Sequence, residues 1–210
     1  MRKLFIRCIL TVALVTLIVP VALAGTGIFG SYVGIDTGGG NTWYGASQPG
    51  PAMLTGFDGE DLGDFTVGDS MLISGGEILT WKSGGGDVTG TNIFFAVHVV
   101  GTQANNFGGA TINFTSDIPF NDAAGNSFSN FGDQKWADIQ ATPDVLSGVG
   151  TGDYSLSVYF TATTNEGTVY DNNGGNNYVA NFSVTGVPEP AAYMLLVIGL
   201  LPLLLRRRRK

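Results

Sequence analysis

The sequence predicts an all-β fold, an antiparallel two-sheet β-sandwich of about seven to nine strands. Apolar and polar residues alternate with a period of two in several segments, which is the pattern of strands with one buried face. Glycine-rich and asparagine-rich breakers separate those segments, and 32 of the 210 residues are glycine. No long window between residues 25 and 186 has a helical period, which argues against a helical bundle.

The strongest strand signals lie in the second half of the chain. Between 154 and 163, Leu156, Val158 and Phe160 share one face, whereas Tyr159 lies on the opposite face. Residues 178–185 alternate in the same way. The run 93–100 is almost continuously apolar, which predicts a central strand covered on both faces. Residues 111–115 also alternate, and weaker strands are predicted at 31–35, 71–74, 77–81 and 136–139.

The connecting segments include one long irregular stretch. We expect residues 36–68 to form a loop, and residues 131–136 to contain a short helix or a turn. The stretch 165–177 separates two strong strands and is longer than a tight hairpin loop, so 167–171 is expected to add a short ribbon. This stretch is the best-placed loop for function.

The first 24 residues predict a secretory signal helix. Arg2, Lys3 and Arg7 precede an apolar run, and Ala22-Leu23-Ala24 supplies the small residues at which signal peptidase cleaves. Gly25 is then the first residue of the mature chain. The single cysteine of the chain lies inside this segment, so the mature body has no disulfide or thiolate.

The last 24 residues combine three parts in a fixed order. The motif Val187-Pro188-Glu189-Pro190 is followed by an apolar stretch, 191–205, and then by the basic cluster Arg206-Arg207-Arg208-Arg209-Lys210. A helix over the apolar stretch is about 22 Å long, against a hydrocarbon core of about 30 Å. The sequence thus predicts a short transmembrane helix whose basic end stays in the cytoplasm.

This arrangement closely resembles a PEP-CTERM sorting signal. The resemblance implies recognition by exosortase, a membrane enzyme of Gram-negative bacteria, and processing at or near the Pro-Glu-Pro motif. It implies a precursor anchored in the inner membrane, which is then delivered to the cell surface or to the exopolysaccharide matrix. The predicted domains are therefore a signal peptide (1–24), a β-sandwich body (25–186) and the sorting signal (187–210).

The body is strongly acidic. Residues 25–186 contain two lysines and no arginine against sixteen aspartate and glutamate residues, a net charge of −14. Such a surface repels phosphate backbones, so nucleic acid is not expected among the partners.

The sequence predicts a protein that is not an enzyme and has no catalytic cofactor. His98 is the only histidine, and it lies in the most apolar strand, where a hydrogen-bonded structural role is usual. Gly68-Asp69-Ser70-Met71 resembles the nucleophile block of GDSL-type esterases. Those enzymes use a later histidine to deprotonate the serine, and no histidine follows His98.

Clustered acidic and amide residues in two loops raise the alternative of one structural calcium ion. Asp58 and Asp61 lie in the first loop, and Asp171 begins the second. Carboxylate and amide oxygens are the ligands that calcium prefers. The same residues also suit the left-handed backbone of tight turns, so plain turn chemistry stays open.

Glycan binding is the most specific hypothesis for the body. Sugar rings stack on aromatic side chains, and Trp43, Trp81 and Tyr170 lie near polar loops. The run 170–178 resembles a segment of starch-binding carbohydrate modules, with Tyr170 in the place of a tryptophan. That resemblance implies sugar contacts from Tyr170, Asp171, Asn172 and Asn173, although the run also suits a turn that closes the sandwich.

Two hypotheses follow for an exported bacterial surface or exopolysaccharide-matrix protein. In the first, the body binds matrix polysaccharide through exposed aromatic side chains. In the second, it is a structural or adhesive matrix protein that binds no glycan. An exposed row of aromatic residues flanked by asparagine and aspartate favours the first, whereas three buried tryptophans favour the second.

Overall fold

A computed structural model of the chain describes residues 25–187, and these form an all-β fold. A single 3₁₀ turn at Asn173–Gly175 interrupts the strands. The twelve strands of the described residues are β1 (Gly25–Asp36), β2 (Asn41–Ser47), β3 (Asp61–Thr66), β4 (Leu72–Ser83), β5 (Val88–Val99), β6 (Gly108–Asp117), β7 (Phe120–Asn121), β8 (Ser127–Phe128), β9 (Asp133–Ile139), β10 (Gly152–Thr164), β11 (Gly167–Asp171) and β12 (Tyr178–Thr185).

Ten strands belong to one large mixed sheet. Their order is β2-β1-β4-β9-β6-β5-β10-β12-β3, and β11 pairs with the end of β10 that β12 leaves free. Neighbours are antiparallel except β12 and β3, which run parallel. Strands β7 and β8 form a separate hairpin. The expectation of two antiparallel sheets is therefore met only in part, because one continuous sheet curls into a sandwich-like shape.

The segment between β2 and β3 joins the two ends of this curled sheet. The Gly45 N–H in β2 donates to Thr55 O, and the Phe57 N–H donates back to Gly45 O. A few residues later, the Gly59 N–H donates to Val179 O in β12. Because one short segment bonds to both regions, the inner faces of the two halves are held around a common core.

That core is built from the alternating strands that the sequence predicts. Leu156, Val158 and Phe160 of β10 are fully buried, and β12 contributes Ala180 and Phe182. Burying such side chains contributes about 1.5–3 kcal/mol each for the larger ones. The predictions for 154–163 and 178–185 are confirmed, and the short ribbon expected at 167–171 is strand β11.

A second, smaller core lies on the outer face of β1 and β4, under the β7–β8 hairpin. Its buried members are Tyr32, Leu79 and Phe120. The Tyr32 hydroxyl donates to Asp122 Oδ2 at 2.6 Å. Beside it, the buried Glu77 carboxylate pairs with Lys135 Nζ at 2.8 Å. These contacts hold the hairpin against the sheet, and Lys135, one of the two lysines of the body, is paired in them.

Several sequence expectations differ from the structure. Residues 72–74 and 77–81, which were expected in two strands, lie in the single strand β4, and the described residues form twelve strands where seven to nine were expected. The segment 36–68 holds β2 and β3 and is not one long loop. Residues 131–132 form a turn, and β9 begins immediately after them. Strand β5 is central, but its outer face is only half-buried at Phe94 and His98, because no second layer covers it there.

The predicted signal helix, its cleavage site at Ala22 and Ala24, and the sorting signal from Pro188 onward lie outside the described residues. Gly25 begins β1, and Val187 is exposed after the end of β12. Within residues 25–187, no helix has the length and apolar character that crossing a bilayer requires.

Candidate functional site

Four aromatic side chains share the outer face of the half of the sheet that contains β5, β10 and β11, and three of them are in ring contact. Phe94 and Tyr159 stack with their ring centroids 4.9 Å apart and nearly parallel planes, 11° between them. Phe107 meets Tyr159 edge to face at 5.1 Å. Tyr170 lies on the adjacent strand and is 58% exposed. We call Phe94, Phe107, Tyr159 and Tyr170 the aromatic face.

Strand register brings these rings together. Tyr159 lies directly opposite Phe94, and Tyr170 lies opposite Thr161, two residues further along β10 on the same face. Strand β6 places glycine opposite Phe94, at Gly109. A Cβ at Gly109 would lie 2.9 Å from the Phe94 ring, so the glycine provides the room in which that ring lies.

Uncharged polar groups surround the rings. Thr111 Oγ1 donates to Asn92 Oδ1 at 3.1 Å on one side. On the other side, His98 Nε2 lies 2.9 Å from Ser157 Oγ. Burial raises the pKa of the Tyr159 phenol, and the neighbouring Tyr170 raises it further, so this hydroxyl stays protonated at neutral pH. The face therefore offers ring surfaces bordered by hydroxyl, amide and imidazole groups.

The His98–Ser157 pair does not form an accessible nucleophilic site. Ser157 is only 2% exposed, so its hydroxyl is out of reach of an external substrate. The other ring nitrogen of His98, Nδ1, lies 3.3 Å from the Val99 carbonyl oxygen. Both ring nitrogens thus have local partners, in keeping with a hydrogen-bonded structural histidine.

The three tryptophans lie apart from the aromatic face. Trp136 is buried, and its indole N–H donates to Thr80 Oγ1 at 3.0 Å. Trp43 is half-buried against the second core. Trp81 is 37% exposed, and its indole lies over Gly27 of β1, where a Cβ would come within 2.4 Å of Nε1. Trp81 is the most accessible of the three.

Within the predicted run 170–173, the four residues have different surroundings. Tyr170 points to solvent on the aromatic face, whereas the Asp171 carboxylate accepts hydrogen bonds from Ser31 and Tyr178 on the other side. Asn172 Oδ1 accepts from the Gly175 N–H, which caps the 3₁₀ turn. Asn173 takes a positive φ of 51° inside that turn. The run connects β11 to β12, as its turn interpretation expects.

The carboxylates considered for calcium already accept hydrogen bonds from the protein. Asp58 accepts from the Val179 N–H and from Asn173 Nδ2, so the two predicted calcium loops do come together. Asp61 accepts from the Gly63 N–H. Among the residues that the structure describes, no three His, Cys, Asp or Glu side chains are grouped as a metal site would group them. The calcium hypothesis stays a prediction.

A separate open groove lies at the end of the sheet where β4 turns into β5. It has a volume of about 400 Å³ and is lined by Lys82, Gly84–Gly86, Asp117, Phe131 and Asp133. Phe131 is 98% exposed, and burial raises the pKa of Asp133. Lys82 pairs with Asp87 at 3.0 Å. Ile118 also lines the groove, so its surface is more apolar than polar.

Sequence reasoning found Tyr170 and the outward direction of Tyr159 but missed Phe94 and Phe107. Phe94 lies in the run that was expected to be covered on both faces. The signal that was available is Gly108-Gly109, next to Phe107, because small residues in a strand mark a close approach by a neighbour.

Comparison with protein-family models and with curated proteins gives no match for this chain.

Proposed function

We propose that this chain is an exported bacterial surface or exopolysaccharide-matrix protein, sorted by exosortase, whose body binds glycan through the aromatic face. The proposal assigns binding and no catalysis. The observation that carries it is the aromatic face, in which Tyr170 is 58% exposed beside the half-buried rings of Phe94, Phe107 and Tyr159, with amide and hydroxyl groups around them. We also propose that the curled sheet is a form of the two-sheet sandwich found in carbohydrate-binding modules.

The physical argument rests on two properties of sugars. The C–H faces of a sugar ring are weakly apolar and are attracted by the negative face of an aromatic ring. Its hydroxyls need uncharged donors and acceptors, which the half-buried Asn92 amide and the exposed Thr111 hydroxyl supply beside the rings. Exposed apolar surface that polar residues surround is typical of binding sites, whereas single exposed apolar side chains are common on any protein surface.

The sorting part of the proposal is supported by the resemblance of residues 187–210 to a PEP-CTERM sorting signal. The strands of the described residues run from Gly25 to Thr185. Cleavage after Ala24, and processing near Pro188-Glu189-Pro190, therefore removes none of these strand pairings. The mature body keeps the whole sheet and both cores.

The binding test uses the full-length chain purified in detergent and applied to a glycan array, in calcium and in a chelator. Tyr170→Ala is expected to weaken binding about tenfold, which corresponds to about 1.4 kcal/mol for one lost stacking contact. Phe131→Ala is the control, since it removes an exposed ring from the separate groove at the end of the sheet. Circular dichroism verifies that each variant is folded.

The outcomes separate the hypotheses. Equal losses of glycan affinity in Tyr170→Ala and Phe131→Ala would indicate that the glycan does not bind at the aromatic face. Loss in Trp81→Ala alone would move it to the outer face of β4. A folded chain that binds no glycan would contradict the binding function and leave a structural or adhesive matrix protein. Binding that disappears in the chelator would revive the calcium hypothesis.

The sorting test replaces the motif in the native host. The double variant Pro188→Ala/Glu189→Ala is expected to accumulate as a full-length precursor in the membrane fraction, because exosortase no longer recognises it. Glu166→Ala is the control, since it removes one exposed carboxylate in the turn between β10 and β11. Normal processing of the double variant would contradict exosortase sorting while leaving glycan binding untouched.

A further inference from the structure

We propose that the aromatic face selects glycans that carry no acidic groups and discriminates against polymers that contain uronate, sulfate or phosphate. This inference rests on the proposed glycan binding and adds the chemical class of the ligand. It follows from the charges of the body and from where the register places them.

The described residues offer no unpaired cation to an acidic sugar. Residues 25–187 contain only two lysines and no arginine. Lys135 of β9 pairs with the buried Glu77 of β4 at 2.8 Å. Lys82 pairs with Asp87 at 3.0 Å, at the end of the sheet. Proteins that recognise carboxylate or phosphate do so with arginine or lysine.

Carboxylates lie on both sides of the aromatic face, on the same outer surface. Asp153 occupies the exposed start of β10, an even number of residues before Tyr159. Asp61 of β3 pairs with Asn181, which in turn pairs with Ser155 of β10.

On the other side, Asp138 of β9 accepts a hydrogen bond from Asn113 of β6. Strand rise and spacing place Asp61, Asp138 and Asp153 roughly 16–20 Å from the rings. A glycan several sugars long would approach them.

The groups nearest the rings are uncharged. The half-buried Asn92 lies two residues before Phe94 on the outer face of β5, and the exposed Thr111 lies opposite it on β6. They supply an amide and a hydroxyl group, which match the hydroxyls of a neutral sugar. The uncharged groups at the centre of the aromatic face thus favour a neutral sugar ring, and the carboxylates around that face repel negatively charged sugars.

The size of the discrimination follows from Coulomb's law. For the net charge of −14 at a mean distance of about 20 Å in water, repulsion weakens binding roughly tenfold for each uronate at about 0.01 M salt. At about 0.15 M salt the Debye length shortens to about 8 Å, and the effect falls below about twofold. The preference must therefore show a strong dependence on ionic strength.

The test compares chemically matched polymers. The full-length chain with Arg206, Arg207, Arg208, Arg209 and Lys210 replaced by glutamine is used, because the basic cluster would itself attract an acidic polymer. Each neutral polysaccharide that it binds is also offered after oxidation of its C6 hydroxyls to carboxylates, in a chelator, at low and at physiological salt. We expect the oxidised polymer to bind at least about tenfold more weakly at low salt, with the gap closing as salt rises. An amine-substituted derivative of the same polymer is expected to bind more tightly than its parent.

A variant adds a positive charge beside the aromatic face. Thr168 is exposed on β11, two residues before Tyr170 on the same face. Thr168→Lys places a positive charge about 7 Å from that residue and is expected to tighten binding of the oxidised polymer by about two- to threefold at low salt. Thr168→Gln is the matched control, with a long polar but uncharged side chain.

Each result has a distinct meaning. An oxidised polymer that binds as tightly as its parent at low salt overturns the selectivity while the glycan-binding function stands. The same improvement in Thr168→Gln as in Thr168→Lys also overturns it, because charge is then not the cause. A chain that binds none of the neutral polymers contradicts the proposed function itself, and the selectivity with it.

Discussion

The half-buried Asp171 carboxylate connects the two halves of the curled sheet, and replacing it should destabilise the fold. It accepts hydrogen bonds from Ser31 in β1 and from Tyr178 in β12, each at 2.5 Å. Ser31 is fully buried and Tyr178 is 7% exposed, so water cannot replace the lost acceptor easily. In Asp171→Ala both hydroxyls are left without this partner.

The expected loss is worked from those two contacts. Leaving a buried donor unsatisfied costs about 1–3 kcal/mol, so the variant should lose about 4 kcal/mol of unfolding free energy. For a body of this size, 1 kcal/mol corresponds to about 2–4 °C in Tm, which gives a fall of about 10 °C. Tyr178→Phe removes only one of the two bonds and should cost about half as much.

The assay is urea unfolding of the full-length chain in detergent, followed by circular dichroism, with glycan binding measured below the transition. Asp138→Ala is the control, because Asp138 is exposed and has a single surface hydrogen bond, to Asn113. A loss in Asp171→Ala below about 1 kcal/mol, or equal to that of the control, would refute the reasoning. Binding that falls further than the folded fraction would show that Asp171 also contacts the sugar.

Two further predictions concern alkaline pH and glycine geometry. Burial, and hydrogen bonds to Asp122 and Asp171, raise the pKa of Tyr32 and Tyr178 above the unfolded value of about 10, so stability is full below that pH and is lost as pH rises beyond it. Absorbance at the phenolate band should show these two tyrosines titrating only as the sheet unfolds, and early titration would contradict their burial. Gly132→Ala should cost more than about 2 kcal/mol, because φ is +96° and a Cβ would lie 2.1 Å from the Lys82 carbonyl oxygen. Gly125 has a φ of +90° and open space around it, so Gly125→Ala measures the cost of placing alanine at a positive φ without a steric clash. Equal urea midpoints for the two variants would contradict the steric argument.

The sequence predicted the strands whose pattern is local and strongly periodic. Residues 154–163 and 178–185 have one apolar face, so burial of that face and strand formation favour the same alternation. The ribbon at 167–171 was expected from the length of the connection alone. In each case the information needed lay within about ten residues of chain.

The strands that were missed depend on distant partners. Strand β3 contains Asp61, Gly63 and Asp64, residues that disfavour strands by themselves. It forms because β12 offers an edge, with Ser183 Oγ donating to Asp64 Oδ1. Strand β2 pairs with β1, although its sequence has no clean alternation. Tertiary pairing thus overrode a weak local preference.

The candidate site shows the same division between local and distant information. Tyr170 and the outward direction of Tyr159 could be read from the chain, but their meeting with Phe94 and Phe107 could not. That meeting depends on the register between β5 and β10 and on the glycine opposite Phe94. Register is set by the packing of the whole sheet, since a shift of one residue would reverse every side chain.

By itself, the sequence determined the all-β class, the acidic charge of the body and the buried stripes of its strongest strands, because composition and short-range periodicity carry that information. Only the tertiary structure decided that one mixed sheet curls on itself, that residues 55–60 join β2 to β12, and that four rings share one outer face. These features arise from hydrogen bonds and contacts between residues as far apart as Ser31 and Asp171. No local pattern encodes such pairings, because their free energy appears only when the entire core is assembled.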